Sequence, residues 1–241
     1  MILDRVTVTG ADDSIDPEQL IQLTMRFPFV EWGILLSRSQ EGGPRFPSTA
    51  WIERLKLVAD TVNKMQGPMR LSGHLCGQWV RALCRGSNRF RAERPTIADM
   101  FQRVQLNFHG DLHDVDEDFL PVVLRDWGRE EYILQFDDVN NLIIGALWMR
   151  GIKAVPLFDR SGGAGREPDE WPSPVAHYCG YAGGLRPDEV ARQYRRIELA
   201  AGPSRVWTDI ETHVFSEDGR KFDLAKVEQY LSAAELWVHR G

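Results

Sequence analysis

Two glycine-rich segments in the last third of the chain have the composition of phosphate-binding loops. The first is DRSGGAG at residues 159–165, and the second is AGGL at residues 182–185. Because glycine has no side chain, its backbone N–H can approach an anion closely. The predicted phosphate ligands are therefore the backbone groups of Gly162, Gly163, Gly165, Gly183 and Gly184. The alternative is that both segments are flexible turns.

Ionisable side chains near the ends of predicted strands would supply acid–base chemistry. Asp159 directly follows one such strand, at the start of the first glycine segment. His74 and Cys76 alternate along another strand, so both face the same way, and an imidazolium there would stabilise a thiolate. The other catalytic or substrate-binding candidates at strand ends or in the loops after them are Thr9, Asp13, Arg45, His109, Asp209 and Glu211.

Several of these candidates also have a purely structural interpretation. Asp159 would order the glycine loop that follows it. Arg45 would face solvent, and His109 would bond a backbone carbonyl. The pair His74 and Cys76 would be a hydrogen-bonded histidine beside a small buried cysteine. The residues alone leave both interpretations open.

The elements that must position these residues follow a strand–helix alternation. Short β-branched segments alternate with segments of helical period, which is typical of a parallel sheet. The predicted strands are 5–9, 29–36, 69–75, 104–108, 132–136, 152–158, 176–181 and 205–210. Eight strand–helix units in 241 residues predict one α/β domain over 1–241, a (β/α)₈ TIM barrel. An open doubly wound sheet would carry a glycine fingerprint after its first strand, where Gly10 stands alone.

Local signals mark some helix ends. Asp16 and Gln19 have capping-box spacing, so a helix is predicted over 17–26. A second helix is predicted over 116–127, broken or bent near Pro121. The polar stretch 86–95 is predicted as a loop.

Composition narrows the function classes. The chain has 29 Lys and Arg residues against 35 Asp and Glu, a formal net charge of −6. This balance argues against a dedicated binder of nucleic acid or of an anionic membrane. No stretch approaches the roughly 18 apolar residues of a membrane span, and the three cysteines lack metal-site spacing. We expect a cytoplasmic protein without a metal, whose partner is a small phosphorylated substrate and whose oligomeric state stays open.

The motifs occur in the order found in one family. The first strand ends in TVTG at 7–10, and PRF at 44–46 follows the second. Later in the chain come the two glycine segments, PDEV at 187–190, DIETHV at 209–214 and GRKFD at 219–223. In this order the chain resembles the phosphoribosylanthranilate isomerase family of tryptophan biosynthesis.

The resemblance implies a barrel of the ribulose-phosphate-binding type and an Amadori-type aldose–ketose isomerisation of a phosphorylated ribose derivative, without a cofactor. It implies that Asp159 is the general acid and that Arg45 holds a substrate carboxylate. The family's catalytic cysteine is replaced by Thr9, so the base stays open among Cys76, Asp13 and Thr9. The alternatives are another sugar-phosphate isomerase or lyase on the same barrel, and a non-catalytic barrel that binds a phosphosugar or nucleotide.

The segment after the eighth predicted strand departs from the family. Glu211 and His213 stand where the family has small residues that contact phosphate. If the Glu211 carboxylate pointed inward, it would repel a dianion. Either the phosphate site has moved, or the ligand differs.

Overall fold

The computed structural model describes residues 1–108, 115–138, 140–159 and 165–238. In these ranges eight parallel strands form a closed barrel, each pairing with its neighbours in chain order, and β8 pairs with β1. The strands are β1 Ile2–Thr9, β2 Val30–Leu36, β3 Arg70–Leu75, β4 Arg103–Leu106, β5 Glu131–Gln135, β6 Ala154–Phe158, β7 Tyr178–Ala182 and β8 Arg205–Ile210. The predicted TIM barrel is confirmed.

Amphipathic helices connect most of the strands and bury one face each. They are α1 Gln19–Arg26, α2 Thr49–Gln66, α3 Gln78–Cys84, α4 Arg89–Glu93, α5 Pro95–Ala98, α6 Phe119–Trp127, α7 Asn140–Met149, α8 Val190–Ala201 and α9 Leu224–Ala234. Two short 3-10 helices, Thr212–Val214 and Glu235–Trp237, follow β8 and α9. Within the described ranges, none of the helices has the length and apolar character needed to cross a membrane.

The capping-box hydrogen bonds predicted for Asp16 and Gln19 form, but α1 begins at Gln19, two residues after the predicted start at 17. The Gln19 side chain accepts a hydrogen bond from the Asp16 backbone N–H at 3.0 Å, and Asp16 accepts one from the Glu18 N–H at 3.1 Å. The loop predicted over 86–95 was wrong in part, because α4 forms there. The Asn88 side chain caps this helix by accepting from the Arg91 N–H at 3.1 Å.

The break predicted near Pro121 was also wrong. Pro121 is the third residue of α6. The first turn of a helix has no intrahelical partner for its N–H groups, so a proline there removes no hydrogen bond. Helix α6 therefore runs unbroken to its left-handed end at Gly128.

The barrel interior has an apolar half and a polar half. The apolar half forms a separate cluster contributed by β5–β8, comprising Ile133, Val155, Leu157, Ala182 and Trp207. In the polar half, Arg103 of β4 donates to Glu31 of β2 at 3.0 Å and lies 3.0 Å from the Glu131 carboxylate of β5. Buried charges persist only when paired, so these ion pairs link β4 to β2 and to β5 inside the barrel.

Candidate functional site

A cavity of about 250 Å³ opens at the carboxyl ends of the strands, bounded mainly by β6, β7, β8 and the loops after them. This end of a TIM barrel is where catalytic residues lie. The cavity brings together the carboxyl groups of Asp159, Asp209 and Glu211 and the predicted glycines Gly165, Gly183 and Gly184. Gln105, Asn107 and Gln135 add amide side chains from β4, the residue after it, and β5.

Asp209 is the most buried of these three carboxyl-bearing residues. Its side chain is buried, and Thr9 at the end of β1 donates its hydroxyl to the Asp209 Oδ1 at 2.7 Å. Burial raises the pKa of Asp209 well above its usual value, and the negative charges of Glu211 and Asp159 add to the rise, while the Thr9 bond opposes it. Asp209 therefore keeps its proton at pH values where an exposed aspartate has lost it.

Asp159 lies directly after β6 and is half-buried at the same cavity. Gln135 of β5 donates to its Oδ2 at 3.3 Å. The charge of Asp159 is one of those that raise the pKa of Asp209. Asp159 and Asp209 thus place two carboxyl groups at one cavity, the arrangement that acid–base chemistry requires.

Glu211 is neutralised by a partner from another loop. Arg45 donates to the Glu211 Oε1 at 3.0 Å, and its guanidinium lies 4.7 Å from the centre of the Phe215 ring. Asp12 accepts the backbone N–H of Arg45 at 2.6 Å and so holds that residue at its positive φ of 70°. Burial raises the pKa of Glu211, and Arg45 opposes this. Arg45, predicted to hold a substrate carboxylate, thus already has a carboxylate partner in the protein.

At two of these glycines, in the loops after β6 and β7, a side chain would clash with neighbouring atoms. Gly184 has φ +68°, and a Cβ there would lie 2.1 Å from the Glu167 backbone nitrogen. Gly165 has φ +64°, and a Cβ there would meet the Thr212 side chain. Gly183 has φ +100°. Among the residues that the structure describes, no hydrogen bond uses the backbone N–H groups of Gly183 or Gly184. Gly162, Gly163 and His109 lie outside the described residues.

The buried environment of His74 and Cys76 favours their neutral forms over a thiolate–imidazolium pair. Burial lowers the pKa of His74 to about 4 and raises the pKa of Cys76 to about 11. Both groups are therefore neutral at physiological pH. The Cys76 Sγ accepts from the Asn107 amide at 3.3 Å, while the His74 Nε2 has no hydrogen-bond partner in the described ranges. The raised thiol pKa does not favour Cys76 as a general base.

Asp13, another candidate base, lies away from the cavity. Its carboxylate accepts the backbone N–H of Ser48 at 2.6 Å and the Ser48 hydroxyl at 2.5 Å. Ser48 is the residue that caps α2. The Asp13 carboxylate therefore stabilises the start of α2. Thr9, by contrast, contacts Asp209 at the cavity.

The amide side chains at the cavity are residues that the sequence analysis missed. Gln105 and Asn107 are two positions apart on one strand and its extension, and the Gln105 amide donates to Asn107 at 2.7 Å. This two-residue period was the available signal, because alternate residues of a barrel strand face the interior. Among the His, Cys, Asp and Glu side chains of the described ranges, no three are grouped so as to hold a metal ion.

Comparison with known proteins shows the fold. No protein-family model and no curated protein matches the chain. A monomeric form of phosphoribosylanthranilate isomerase from Thermotoga maritima is similar with a TM-score of 0.55 at 14% identity, over 98% of this chain and 99% of that one. These values establish a shared TIM barrel and not membership of that family.

Other barrels are equally similar. Phospho-2-dehydro-3-deoxyheptonate aldolase from Thermotoga maritima has a TM-score of 0.56 at 12% identity, over 98% of this chain and 69% of its own. A Rubisco-like protein from Rhodopseudomonas palustris has a TM-score of 0.53 at 11% identity, over 100% of this chain and 66% of its own. Proteins with different names thus have the same fold as this chain.

Proposed function

We propose that this protein is an acid–base enzyme that isomerises a small phosphorylated sugar, through an aldose–ketose rearrangement of the Amadori type. The observation that carries the proposal is that Asp159 and Asp209 line one cavity, in which burial raises the pKa of Asp209 well above its usual value. A carboxyl group that burial keeps protonated is suited to the role of general acid, and a second carboxyl group at the same cavity can then act as the base.

The phosphate site in this proposal is the backbone of the loops after β6 and β7. The N–H groups of Gly183 and Gly184 are at the cavity, and bare backbone amides bind phosphate oxygens well. The repulsion expected from Glu211 is offset because Arg45 pairs with it at 3.0 Å. The phosphate would thus lie beside a neutralised carboxylate.

The two carboxyl groups then act on the sugar. Asp209 donates its proton to the ring oxygen, the bond from that oxygen to carbon 1 breaks, and carbon 1 becomes an oxocarbenium or iminium centre. Asp159 removes the proton from carbon 2, whose electron pair forms the carbon 1–carbon 2 double bond. Asp159 then returns its proton to carbon 1 while the carbon 2 hydroxyl gives its proton to Asp209, which forms the ketose and restores both carboxyl groups. Here Asp209 takes the acid role that the resemblance gives to Asp159, because burial favours the protonated form of Asp209.

A different sugar phosphate is a second candidate substrate class. The residue expected to hold a substrate carboxylate, Arg45, is bound by Glu211 and by the Phe215 ring. This favours an isomerase or lyase acting on a ligand without an anthranilate group, on the same barrel.

The experiment uses two reactions in parallel. Freshly generated phosphoribosylanthranilate is followed by its fluorescence, and exchange of the carbon 2 proton of ribose 5-phosphate for solvent deuterium is followed by NMR. The rate of this exchange depends on the acid and on the base, whatever group carbon 1 carries. We expect exchange by the unmodified protein and a loss of about 10²–10⁴-fold in Asp159→Asn and Asp209→Asn.

Asp13→Asn is the matched control, because the Asp13 carboxylate binds Ser48, the capping residue of α2, and does not line the cavity. Its exchange rate should equal that of the unmodified protein. Binding of ribose 5-phosphate without any exchange would instead favour the non-catalytic barrel. Exchange that survives both cavity substitutions would contradict the assignment of Asp159 and Asp209.

A further inference from the structure

The loops after β6 and β7 touch each other at the backbone. A Cβ on Gly184 would lie 2.1 Å from the Glu167 backbone nitrogen and 2.7 Å from the Arg166 carbonyl carbon. The two loops therefore pack without space between them at this point, and a movement of one must displace the other. Because Gly184 also lines the mouth cavity, this contact fixes part of the cavity wall.

A buried glutamine of α8, Gln193, joins the same two loops. Its amide nitrogen donates to the Gly184 carbonyl at 2.7 Å and to the Glu167 Oε2 at 3.2 Å. Its amide oxygen accepts the backbone N–H of Arg186, in the loop after β7, at 2.9 Å. One amide thus uses both of its N–H groups and its oxygen, and all three bonds go to the loops after β6 and β7.

The Glu167 carboxylate is held by two further side chains of α8. Arg192 binds it with both terminal guanidinium nitrogens, at 2.5 and 3.1 Å, and Arg196 also donates to it. Arg196 reaches the Asp169 carbonyl as well. A two-pronged arginine–carboxylate pair fixes the orientation of both groups. The end of the loop after β6 is therefore tied to the same helix whose Gln193 holds the loop after β7.

We propose that Gln193 is a positioning residue for phosphate binding. By holding the Gly184 carbonyl and the Glu167 carboxylate, it keeps both loops in one arrangement before the anion arrives, which lowers the entropic cost of binding. Its partners belong to these loops and not to the pair Asp159 and Asp209, so Gln193 should affect affinity and not proton transfer. The inference rests on the proposed function for the identity of the anion, whereas the coupling of the loops is a property of the ligand-free protein.

Gln193→Met tests the proposal, because methionine has a similar length but lacks the amide. Ribose 5-phosphate is titrated into the full-length protein by calorimetry, and exchange of its carbon 2 proton is measured at saturating ligand. We expect the Kd to rise about tenfold, the size expected when a buried carbonyl loses its donor, while the exchange rate at saturation stays within twofold. An unchanged Kd, or a saturated exchange rate that falls as far as the affinity does, would overturn the proposal.

Gln102→Met is the matched control. The Gln102 side chain also holds backbone, since its Oε1 accepts the Leu71 N–H at 2.8 Å, but it does so at the amino end of the barrel, beside the starts of β3 and β4. Urea unfolding should show a loss of stability in both variants, and only Gln193→Met should bind ribose 5-phosphate more weakly. An equal rise of the Kd in both would show general loosening of the barrel and no positioning role.

A measurement without ligand keeps the two proposals apart. Glu167→Gln removes the charge at the end of the loop after β6, and NMR follows the backbone amide signal of Gly184 in the other loop. We expect this signal to shift, and the shift to fall by at least half when Gln193 is already methionine. The expected shifts without any ribose 5-phosphate binding would contradict the sugar-phosphate function and retain the coupling of the loops. Binding with an unmoved Gly184 signal would do the reverse.

Discussion

At the scale of single residues, the proton on Asp209 links stability to pH. The pKa of Asp209 is raised in the folded protein, mainly by burial, so the folded state binds this proton more tightly than the unfolded state does. Its contribution to stability is complete below the ordinary aspartate pKa of 3.8 and is lost as the pH rises through the raised folded value. Above that value the fold must bury a charged carboxylate.

Asp209→Asn tests this directly. The asparagine carbonyl still accepts the Thr9 hydroxyl, and the side chain never ionises. We expect the free energy of unfolding of the variant, relative to the unmodified protein, to increase as the pH rises from 4 to 9, while turnover is lost. Urea unfolding of both proteins at several pH values measures this difference in the free energy of unfolding. A constant difference across this range would contradict the raised pKa.

His74 produces the opposite dependence at acid pH. Burial lowers its folded pKa from 6.5 to about 4, so its contribution is complete above 6.5 and is lost as the pH falls toward 4. The loss amounts to roughly 3 kcal/mol by pH 4. His74→Gln should be less stable at pH 8 yet lose less stability than the unmodified protein between pH 6.5 and 4. Equal losses in urea titrations would show that His74 is not responsible.

The residues of the site were partly predictable from sequence. Asp159, Asp209 and the glycines follow from the rule that strand ends meet at one mouth. The protonation of Asp209 and the neutrality of Cys76 did not follow, because burial by neighbouring strands decides both pKa values. Likewise, nothing in the sequence around Arg45 shows that Glu211, 166 positions away, binds it.

At the scale of elements, Gly33 of β2 leaves space for the hydrogen bond between Thr9 of β1 and Asp209 of β8. A Cβ on Gly33 would lie 2.2 Å from the Thr9 hydroxyl oxygen and 3.0 Å from the His74 ring. Thr9 and Gly33 are register partners in neighbouring strands. The missing side chain therefore lets Thr9 keep the orientation in which it donates to Asp209.

Gly33→Ala should displace the Thr9 side chain and break its bond to Asp209. We expect a loss of about 1–3 kcal/mol in stability from overpacking. The Thr9 bond lowers the pKa of Asp209, so its loss should move the alkaline limb of the pH–rate profile to higher pH. Thr9→Val should cause the same pH shift without the overpacking.

The control for Gly33→Ala is Gly145→Ala in α7. A Cβ at Gly145 has no neighbour within 4 Å, and alanine is the better helix former by about 0.5–1 kcal/mol. This variant should be as stable as the unmodified protein or more so, with an unchanged pH profile. A pH shift in Gly145→Ala, or none in Gly33→Ala, would contradict the role given to Gly33.

The elements themselves were largely predictable, and the errors have local causes. The strand positions followed from β-branched alternation, and α1 from its capping residues. Pro121 was taken as a break because the start of α6 was placed three residues too early, at 116 instead of Phe119. The short helix α4 was missed because Asn88 and the arginines around it resemble a polar loop.

At the scale of the whole molecule, the barrel separates stability from chemistry along its axis. The buried pair Arg103 and Glu31 lies toward the amino ends of the strands, where Arg5 also bonds Glu31 at 3.1 Å. The carboxyl cluster and the glycines lie at the opposite end. Two substitutions that strain the backbone to a similar degree, one at each end of the barrel, should both reduce stability. Only the substitution at the carboxyl end should also weaken ligand binding.

Gly183→Ala and Gly202→Ala form such a pair. Both glycines have positive φ, +100° and +56°, and an alanine in such a sparsely populated backbone conformation costs about 1–3 kcal/mol. Gly202 ends α8 at the amino end of β8, with open space around it, whereas Gly183 lines the mouth cavity. At a ribose 5-phosphate concentration 100 times the Kd, the unmodified protein should gain about 2.7 kcal/mol in stability.

Gly202→Ala should keep this gain in full, because its phosphate site is unaltered, and Gly183→Ala should lose most of it, because a Cβ and a shifted backbone disturb the N–H groups that hold the phosphate. Unfolding measured with and without the ligand gives both differences, and the ligand-free curves show that the two variants start from comparable stability. Equal gains in both variants would place the phosphate away from the loop after β7, and the acid–base pair would then need a substrate that reaches it from another direction.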